Sequence, residues 1–287
     1  MSALFKLPQE VHNQLRSSIV VTNLGQLVEE LVCNSIDAGA QKIQVFFDPT
    51  TFRIQVLDDG HGISRDDLSV LGVGHATSKL KDLAGPESSP LTLGFRGEAL
   101  SSIAQCASLT IVTKTRGAQA FRKVIKGGKC LSLELSSPSG EATKPIGIGT
   151  AVDVQDLFFN QPVKRKQLLS RSSKELEDLR ERVLRLAFVH TEVVFEIINT
   201  VSQQRLLSTP RVRSPTELVE CLFGFEAASG LQPVHHVADR VVLWGCITKK
   251  DSGQTVKGLQ YLCILSRRIL VVFDPPLELF NQVSSQS

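Results

Sequence analysis

The sequence predicts an α+β fold in two domains, with helices laid over a mixed β-sheet and then a smaller unit. Its 287 residues suit about two domains at ~150 residues each. Segments with helical i, i+3, i+4 spacing alternate with segments whose apolar residues recur every second position. A hydrophobic content of 42% and a charged content of 21% suit a chain that buries a large core.

Residues 8–18 read as a short helix with Val11, Leu15 and Ile19 on one side. The next helix carries Leu24, Leu27, Val28, Leu31 and Ser35/Ile36 on one buried face, and Gly39 is placed to end it. Glu30, Asn34 and Asp37 line one edge of that helix, off the apolar face. The alternation of Ile43, Val45 and Phe47 against Ile54 and Val56, across a turn at Asp48-Pro49-Thr50, predicts a β-hairpin with one covered face. Its second strand runs into Asp58-Asp59-Gly60-His61-Gly62-Ile63, and a helix starts at Ser64 with acids in its first turn. Gly72 to Gly97 reads as a long, glycine-punctuated connection, and connections of that length are either disordered or functional lids. A helix beginning within Leu93–Leu100 and continuing to about Gln105 follows, then strands at 109–115, 121–125 and 130–135 and a loop at 136–145. The alternating segment from Gly149 to Leu157 is another strand, followed by a basic stretch. Ser172-Ser173 is placed to cap a helix bearing Leu176, Leu179, Val183, Leu186 and Ala187. A strand at 193–198 closes the first domain, and Ser208-Thr209-Pro210 marks the boundary, giving domains of 1–208 and 209–287. The second reads as a helix at 216–223 and strands at 241–247 and 261–265.

Composition narrows the function classes. No apolar run approaches the ~18 residues of a membrane span, and the start from Met1 to Pro8 lacks the charged and apolar regions of a secretion signal. The six cysteines form no Cys-x-x-Cys pair and read as reduced core residues, not as a zinc site or disulfide frame. A net charge of +3 announces no nucleic-acid partner globally. Locally, Gln161 to Arg171 holds Lys164, Arg165, Lys166 and Arg171 with no acid. One Trp and one Tyr argue against a base-stacking platform.

Four pieces in order carry chemistry: Glu30-x-x-x-Asn34-x-x-Asp37, Asp58-x-Gly60-x-Gly62, Gly94-Phe95-Arg96-Gly97-Glu98, and Gly149-Thr150. An aspartate at a strand end can accept a hydrogen bond from an exocyclic amine, and the glycines after it let a base approach the backbone. A glycine-rich segment at a helix N-terminus offers N–H groups and a positive dipole end to phosphates. Asn34 offers the neutral oxygen that suits Mg²⁺, whose other ligands are waters and phosphates. Glu30, one turn away, can polarise an attacking water. Each piece alone is weak, since Asp58-Asp59-Gly60 also reads as a plain turn; the ordered set is strong. Neither the P-loop nor the Rossmann glycine pattern occurs.

These residues resemble the N-terminal ATPase region of the MutL homologue family, in the GHKL group with gyrase, Hsp90-type chaperones and histidine kinases. Val28–Ala40 resembles the family's Glu/Asn helix, and Asp58–Ile63 its Asp-x-Gly-x-Gly turn. His75–Lys79 with Leu93–Leu100 resembles two motifs that separate MutL proteins from other GHKL members, and Gly149–Leu169 the Gly-Thr strand and its basic sequel. The likeness is close over residues 8–200. Arg16–Val20, Asn23–Gln26 and Leu31–Asp37 resemble the third eukaryotic, meiotic MutL branch, whose role is meiotic crossover resolution and some mismatch repair.

The resemblance implies a GHKL, Bergerat-type ATP-binding sandwich followed by part of a transducer domain resembling a ribosomal-protein β-α-β fold. It implies ATP and Mg²⁺ as cofactors, with Glu30 the general base, Asn34 the metal ligand, Asp58 the adenine reader and Thr150 near it through water. Gly60 and Gly62 would form the turn beneath the base. Thr77, Ser78, Lys79, Gly94, Phe95, Arg96, Gly97 and Glu98 would form the lid and phosphate cradle. Double-stranded DNA and a second MutL homologue as heterodimer partner are the implied partners, in the nucleus; Lys164, Arg165 and Lys166 read equally as contacts to the DNA phosphates or as the solvated basic start of a helix. The family's second-domain Val-His-Pro-Ala-Lys motif does not occur before Ser287, from which weak turnover is expected. A nucleotide-gated scaffold or DNA-binding module without useful turnover is the alternative. A histidine kinase is disfavoured, because the helix glutamate has no role there.

Overall fold

The computed structural model describes residues 23–72, 98–136, 147–238, 241–248, 261–266 and 269–273. The expected helix at 8–18 and most of the expected lid lie outside these residues.

Helix α1 (Leu24–Asp37) opens the described chain because its ends are specified locally. Asn23 Oδ1 accepts the N–H of Gln26 at the N-terminus. At the C-terminus Gly39, at φ +71, gives its N–H to Ile36, and Ala40 gives its own to Ser35, which together satisfy two terminal carbonyls. Leu24, Leu27 and Val28 are fully buried, each contributing roughly 1.5–3 kcal/mol of burial.

Strands β1 (Lys42–Asp48) and β2 (Arg53–Asp58) form the expected antiparallel hairpin, with Val45 opposite Val56. A one-turn helix, α2 (Arg65–Val70), is capped by Ser64 as its sequence predicts. Helix α3 (Glu98–Cys106) leads into β3 (Ser108–Lys114), β4 (Phe121–Lys126), β5 (Lys129–Leu135) and β6 (Gly149–Gln155). Then come α4 (Pro162–Ser170), α5 (Ser172–Val189), β7 (Val194–Asn199) and β8 (Arg205–Ser208). The eight strands form one mixed sheet in the order β5-β4-β3-β6-β2-β1-β7-β8. Chain neighbours β2 and β3 are therefore separated by β6, which lies between them.

Strand parity builds the core. Ile43, Val45, Ile54, Val56, Leu109, Ile111 and Val154 are buried. Register places Val56 and Ile111 against Val152, and Ile54 and Leu109 against Val154, so these residues share a face. The opposite parity carries polar pairs, among them a bidentate Arg53–Asp153 bridge at 2.9 and 2.8 Å.

One reading is corrected. Ser172 is the first residue of α5, not its cap, because the preceding basic stretch is itself helical and Arg171 alone separates the two helices. The second unit holds Leu184–Val194 and the chain from Thr209. Its helices α6 (Pro215–Phe223) and α7 (Phe225–Ser229) precede β9 (Leu231–Ala238), β10 (Val241–Thr248), β11 (Tyr261–Ser266) and β12 (Ile269–Phe273). These strands form an antiparallel meander, so a β-α-β crossover is not found among the described residues. The fold remains α+β, with helices on a mixed sheet.

One buried cation holds α2 to the sheet. Lys123, on β4 and fully buried, gives its ammonium to the carbonyls of Leu68, Ser69 and Leu71 at 2.8, 2.8 and 2.7 Å. These lie at the negative end of the helix, where a cation is favoured. Burial pushes the ammonium below the ordinary lysine value. Lys123→Met keeps the stem and strands these carbonyls, and is expected to cost about 2–3 kcal/mol in urea unfolding. A loss below about 0.5 kcal/mol would mean that α2 is held by other contacts.

Candidate functional site

The site is assembled at the end of β2. Asp58 has the same strand parity as Ile54 and Val56, so its side chain points to the face that α1 covers. There Ser35 Oγ donates to Asp58 Oδ2 at 2.9 Å, while the N–H groups of Gly60 and Thr150 donate to Oδ1 at 3.0 and 3.3 Å. A carboxylate offers about four acceptor positions, so these three bonds leave roughly one. Burial pushes the Asp58 carboxyl above its ordinary value of 3.8, and the Gly60, Ser35 and Thr150 hydrogen bonds only partly offset it.

Thr150 meets Asp58 through its amide, not through its side chain. Its hydroxyl lies 3.0 Å from that of Thr113, its register partner on β3. Thr113 is fully buried, accepts the Ile63 N–H at 2.8 Å and lies 3.2 Å from the Gly149 carbonyl oxygen. One consistent arrangement has Thr150 donating to Thr113 and Thr113 donating to Gly149. Ser35 and Thr113 were not among the sequence candidates. The available signals were a serine on an otherwise apolar helix face and a threonine in the strand flanking Gly149-Thr150.

The turn glycines are required by the protein's own backbone. A Cβ on Gly60 would lie 2.7 Å from the Ala38 carbonyl oxygen, and one on Gly62, at φ +77, would lie 2.3 Å from that of Lys114. The Asp58–Gly62 turn is thus packed under the end of α1, where His61 N–H also binds the Ala38 carbonyl at 2.9 Å. Asp59 faces the other way and accepts the Gln41 and Lys42 N–H groups at 2.7 and 2.8 Å.

Glu30, Asn34 and Asp37 are half-buried along α1, and Asn34 directly precedes Ser35. Bonding of Ser35 to Asp58 therefore brings the Glu30/Asn34 helix to the strand-end carboxylate. Among the described residues no three His, Cys, Asp or Glu side chains cluster to hold a metal. Asn34 alone fits only a metal that takes its remaining ligands from water and a bound anion, as Mg²⁺ does. Thr77, Ser78, Lys79, Gly94, Phe95, Arg96 and Gly97 lie outside the described residues. Glu98 is the first residue of α3.

The C-terminal end of α3 is held by distant segments. Gly128 N–H binds the Ala104 carbonyl at 2.8 Å, Phe158 N–H that of Cys106 at 2.7 Å, and Asn160 Nδ2 that of Gln105 at 3.2 Å. Phe158 adopts φ +58, a strained conformation for a large side chain, and is fully buried. Lys164 Nζ sits 4.1 Å from the Phe158 ring centroid, and burial pushes its ammonium below the ordinary lysine value. Lys164 is half-buried while Arg165 and Lys166 are exposed, so the three cations do not form one solvent-facing row.

Comparison with known proteins follows the same lines. Residues 22–128 match the family described as histidine kinase-, DNA gyrase B-, and HSP90-like ATPase. The chain is 40% identical over 236 residues to the DNA mismatch repair protein MLH3 of Arabidopsis thaliana, an overlap covering 82% of this chain and 20% of that protein. It is 33% identical over 266 residues to the DNA mismatch repair protein Mlh3 of Homo sapiens, covering 92% and 18%. With the DNA mismatch repair protein MutL of Leptospira biflexa it shares 32% identity, covering 96% and 43%. The chain thus spans about a fifth to two fifths of these relatives. Among solved structures, an N-terminal domain of a DNA repair protein superposes with a TM-score of 0.69 at 27% identity, over 86% of this chain and 75% of the other. The Aquifex aeolicus MutL ATPase domain complexed with ADP shares the fold, with a TM-score of 0.58 at 22% identity over 91% and 95%.

The raised carboxyl of Asp58 sets a pH dependence. Its folded-state value lies above the unfolded one, so this contribution is fully present below 3.8 and lost as pH rises through the folded value. Asp58→Asn stays neutral and can keep all three contacts, with Ser35 now accepting. The variant should melt higher than the parent at pH 7, and the difference should vanish by about pH 4. Parallel melting profiles across that range would remove Asp58 as their source.

Proposed function

The chain belongs to the MutL homologue family, of which it carries the N-terminal GHKL ATPase region, and from that premise we propose that it binds ATP with Mg²⁺ and hydrolyses it. The observation that carries the proposal is the Asp58 carboxylate, held by Ser35, Gly60 and Thr150 beneath the helix that bears Glu30 and Asn34. Its remaining acceptor position suits the exocyclic amine of adenine. Asn34 would hold Mg²⁺ together with phosphate oxygens and water, and the bound ion would neutralise charge on the phosphates. Glu30 takes a proton from the attacking water, and Thr150 fixes the orientation of Asp58. Thr77, Ser78, Lys79 and the Gly94–Glu98 segment complete the phosphate contacts in this reading.

The proposed output is conformational. Nucleotide binding is coupled to closure of a lid formed by the connection between α2 and α3, which then offers a surface for dimerisation with another MutL homologue. Residues 1–208 would act as the ATP-binding domain and 209–287 as part of the transducer. The likeness to plant and human MLH3 supports a place in the meiotic branch and in the nucleus. Arg165 and Lys166 are the cations exposed for phosphate contacts with double-stranded DNA; Lys164 is withdrawn against Phe158.

Glu30→Ala should retain ATP affinity within about threefold and lose at least 100-fold in single-turnover hydrolysis. Unchanged hydrolysis would reject Glu30 as the base. Saturable ATP binding with no turnover by the parent protein would instead favour a nucleotide-gated scaffold. Reversing Arg165 and Lys166 to Glu should weaken duplex DNA binding and reduce the salt slope by about 2. An unaltered slope would take α4 out of the DNA interface.

A further inference from the structure

A cavity of about 510 Å³ opens where α4 meets the start of α5, and neither the ATP site nor phosphate contacts account for its lining. Pro162, Val163 and Leu168 form its apolar wall; Gln161, Lys164 and Arg171 bring polar groups to it. Its volume lies within the ~300–1,000 Å³ of ligand pockets. Glu175 also lines it, but one carboxylate oxygen is taken by the Leu24 N–H at 3.1 Å.

Three observations define what would fit. Gln161 Nε2 is buried without a hydrogen-bond partner while its residue is only half-buried, an uncommon arrangement that turning the carboxamide toward an acceptor in the cavity would resolve. Gln161 also occupies the N-cap of α4 without capping it, and no acid stands in the first turn, so the positive helix end is uncompensated. Beside the cavity the surface is apolar as well as basic: Val163 is 71% exposed, Leu169 52% and Phe159 41%, next to the exposed Arg165 and Lys166. Exposed apolar groups around a concave site mark protein interaction surfaces, and they add nothing to a contact with a phosphodiester backbone.

We propose that this cavity is a docking site for a short acidic peptide segment of a partner protein, an apolar side chain seated on Val163 and Leu168 and a carboxylate received by Gln161 Nε2 and the N-terminal end of α4. Charge complementarity selects the occupant: α4 carries three cations and no acid. The apolar wall selects a peptide over a nucleic acid. The inference goes beyond nucleotide turnover and does not depend on it.

The test is a peptide array pairing Asp or Glu with Leu, Phe or Met at spacings of one to four residues, followed by fluorescence anisotropy on the best binders. Micromolar, saturable binding is expected, weakened at least tenfold by Val163→Glu and about fivefold by Gln161→Ala, the effect of losing one buried hydrogen bond. Replacing the peptide's acids with amides should weaken it similarly. Val163 is largely exposed, so its variant should fold normally, which a melting curve checks. A parallel titration with duplex DNA should be within about twofold of the parent for Gln161→Ala. No saturable peptide on the array, or binding indifferent to both substitutions, would overturn the proposal. Loss of DNA affinity in Gln161→Ala without peptide capture would also overturn it, by assigning the cavity to nucleic acid.

Discussion

The Asp58 carboxylate is the point at which three separately encoded segments meet. Ser35 comes from α1, Gly60 from the turn that follows, and Thr150 from a strand 92 residues away in sequence. Burying a carboxylate is unfavourable unless hydrogen bonds compensate it. Here compensation is partial, since burial still outweighs the bonds in the direction of the shift. The group is consequently short of partners in the state that would receive a nucleotide. A buried acceptor with room for another donor serves recognition better than it serves stability.

That arrangement requires α1 to be fixed at both ends. At its start, Glu175 of α5 accepts the Leu24 N–H while Asn23 serves Gln26, so two of the otherwise unpaired donors of the first turn have side-chain acceptors. Arg182 of α5 bridges Glu29 of α1 and Asp178 of its own helix. Gly25 leaves room for this pairing, since a Cβ there would fall 2.2 Å from Asp178 Oδ2 and the two side chains would have to shift. At the other end the Gly39 turn brings the Ala38 carbonyl over Gly60 and His61. Glu30 and Asn34 lie between these fixed ends, which limits how far either can drift from Asp58.

Much of this was legible in sequence where a local rule decides the structure. The β1–β2 hairpin followed from period-two burial, α2 from Ser64 and its acids, and the end of α1 from Gly39. The polar edge of α1 followed from spacing alone. What was not legible depends on pairing between distant segments. Ser35 looked like one more small residue on an apolar face, because nothing local says that Asp58 will lie beneath it. Thr113 acquires a role only once β6 lies between β2 and β3. Lys123 sits at a buried strand position that a lysine rarely occupies, and its three carbonyl partners are 52 to 55 residues away. The sequence offers Lys164, Arg165 and Lys166 together, with nothing local to tell them apart. Helical periodicity instead turns Lys164 onto Phe158 and leaves Arg165 and Lys166 outside.

The bracing of α3 links the two halves of the site. A helix of nine residues has four terminal carbonyls without helical partners, and three of those on α3 are bound by Gly128, Phe158 and Asn160. Two of the three donors belong to the turn between β6 and α4, and the strand before that turn supplies Thr150. One short run of chain therefore fixes both the amide that holds Asp58 and the rear end of the helix that begins at Glu98. The strain at Phe158, with φ +58, is tolerated because burial, the Cys106 carbonyl and the Lys164 cation all oppose its release. The Gly149-Thr150 strand and the turn at Leu157–Asn160 are thus adjacent for a mechanical reason: a shift in either would displace the strand-end carboxylate and α3 together.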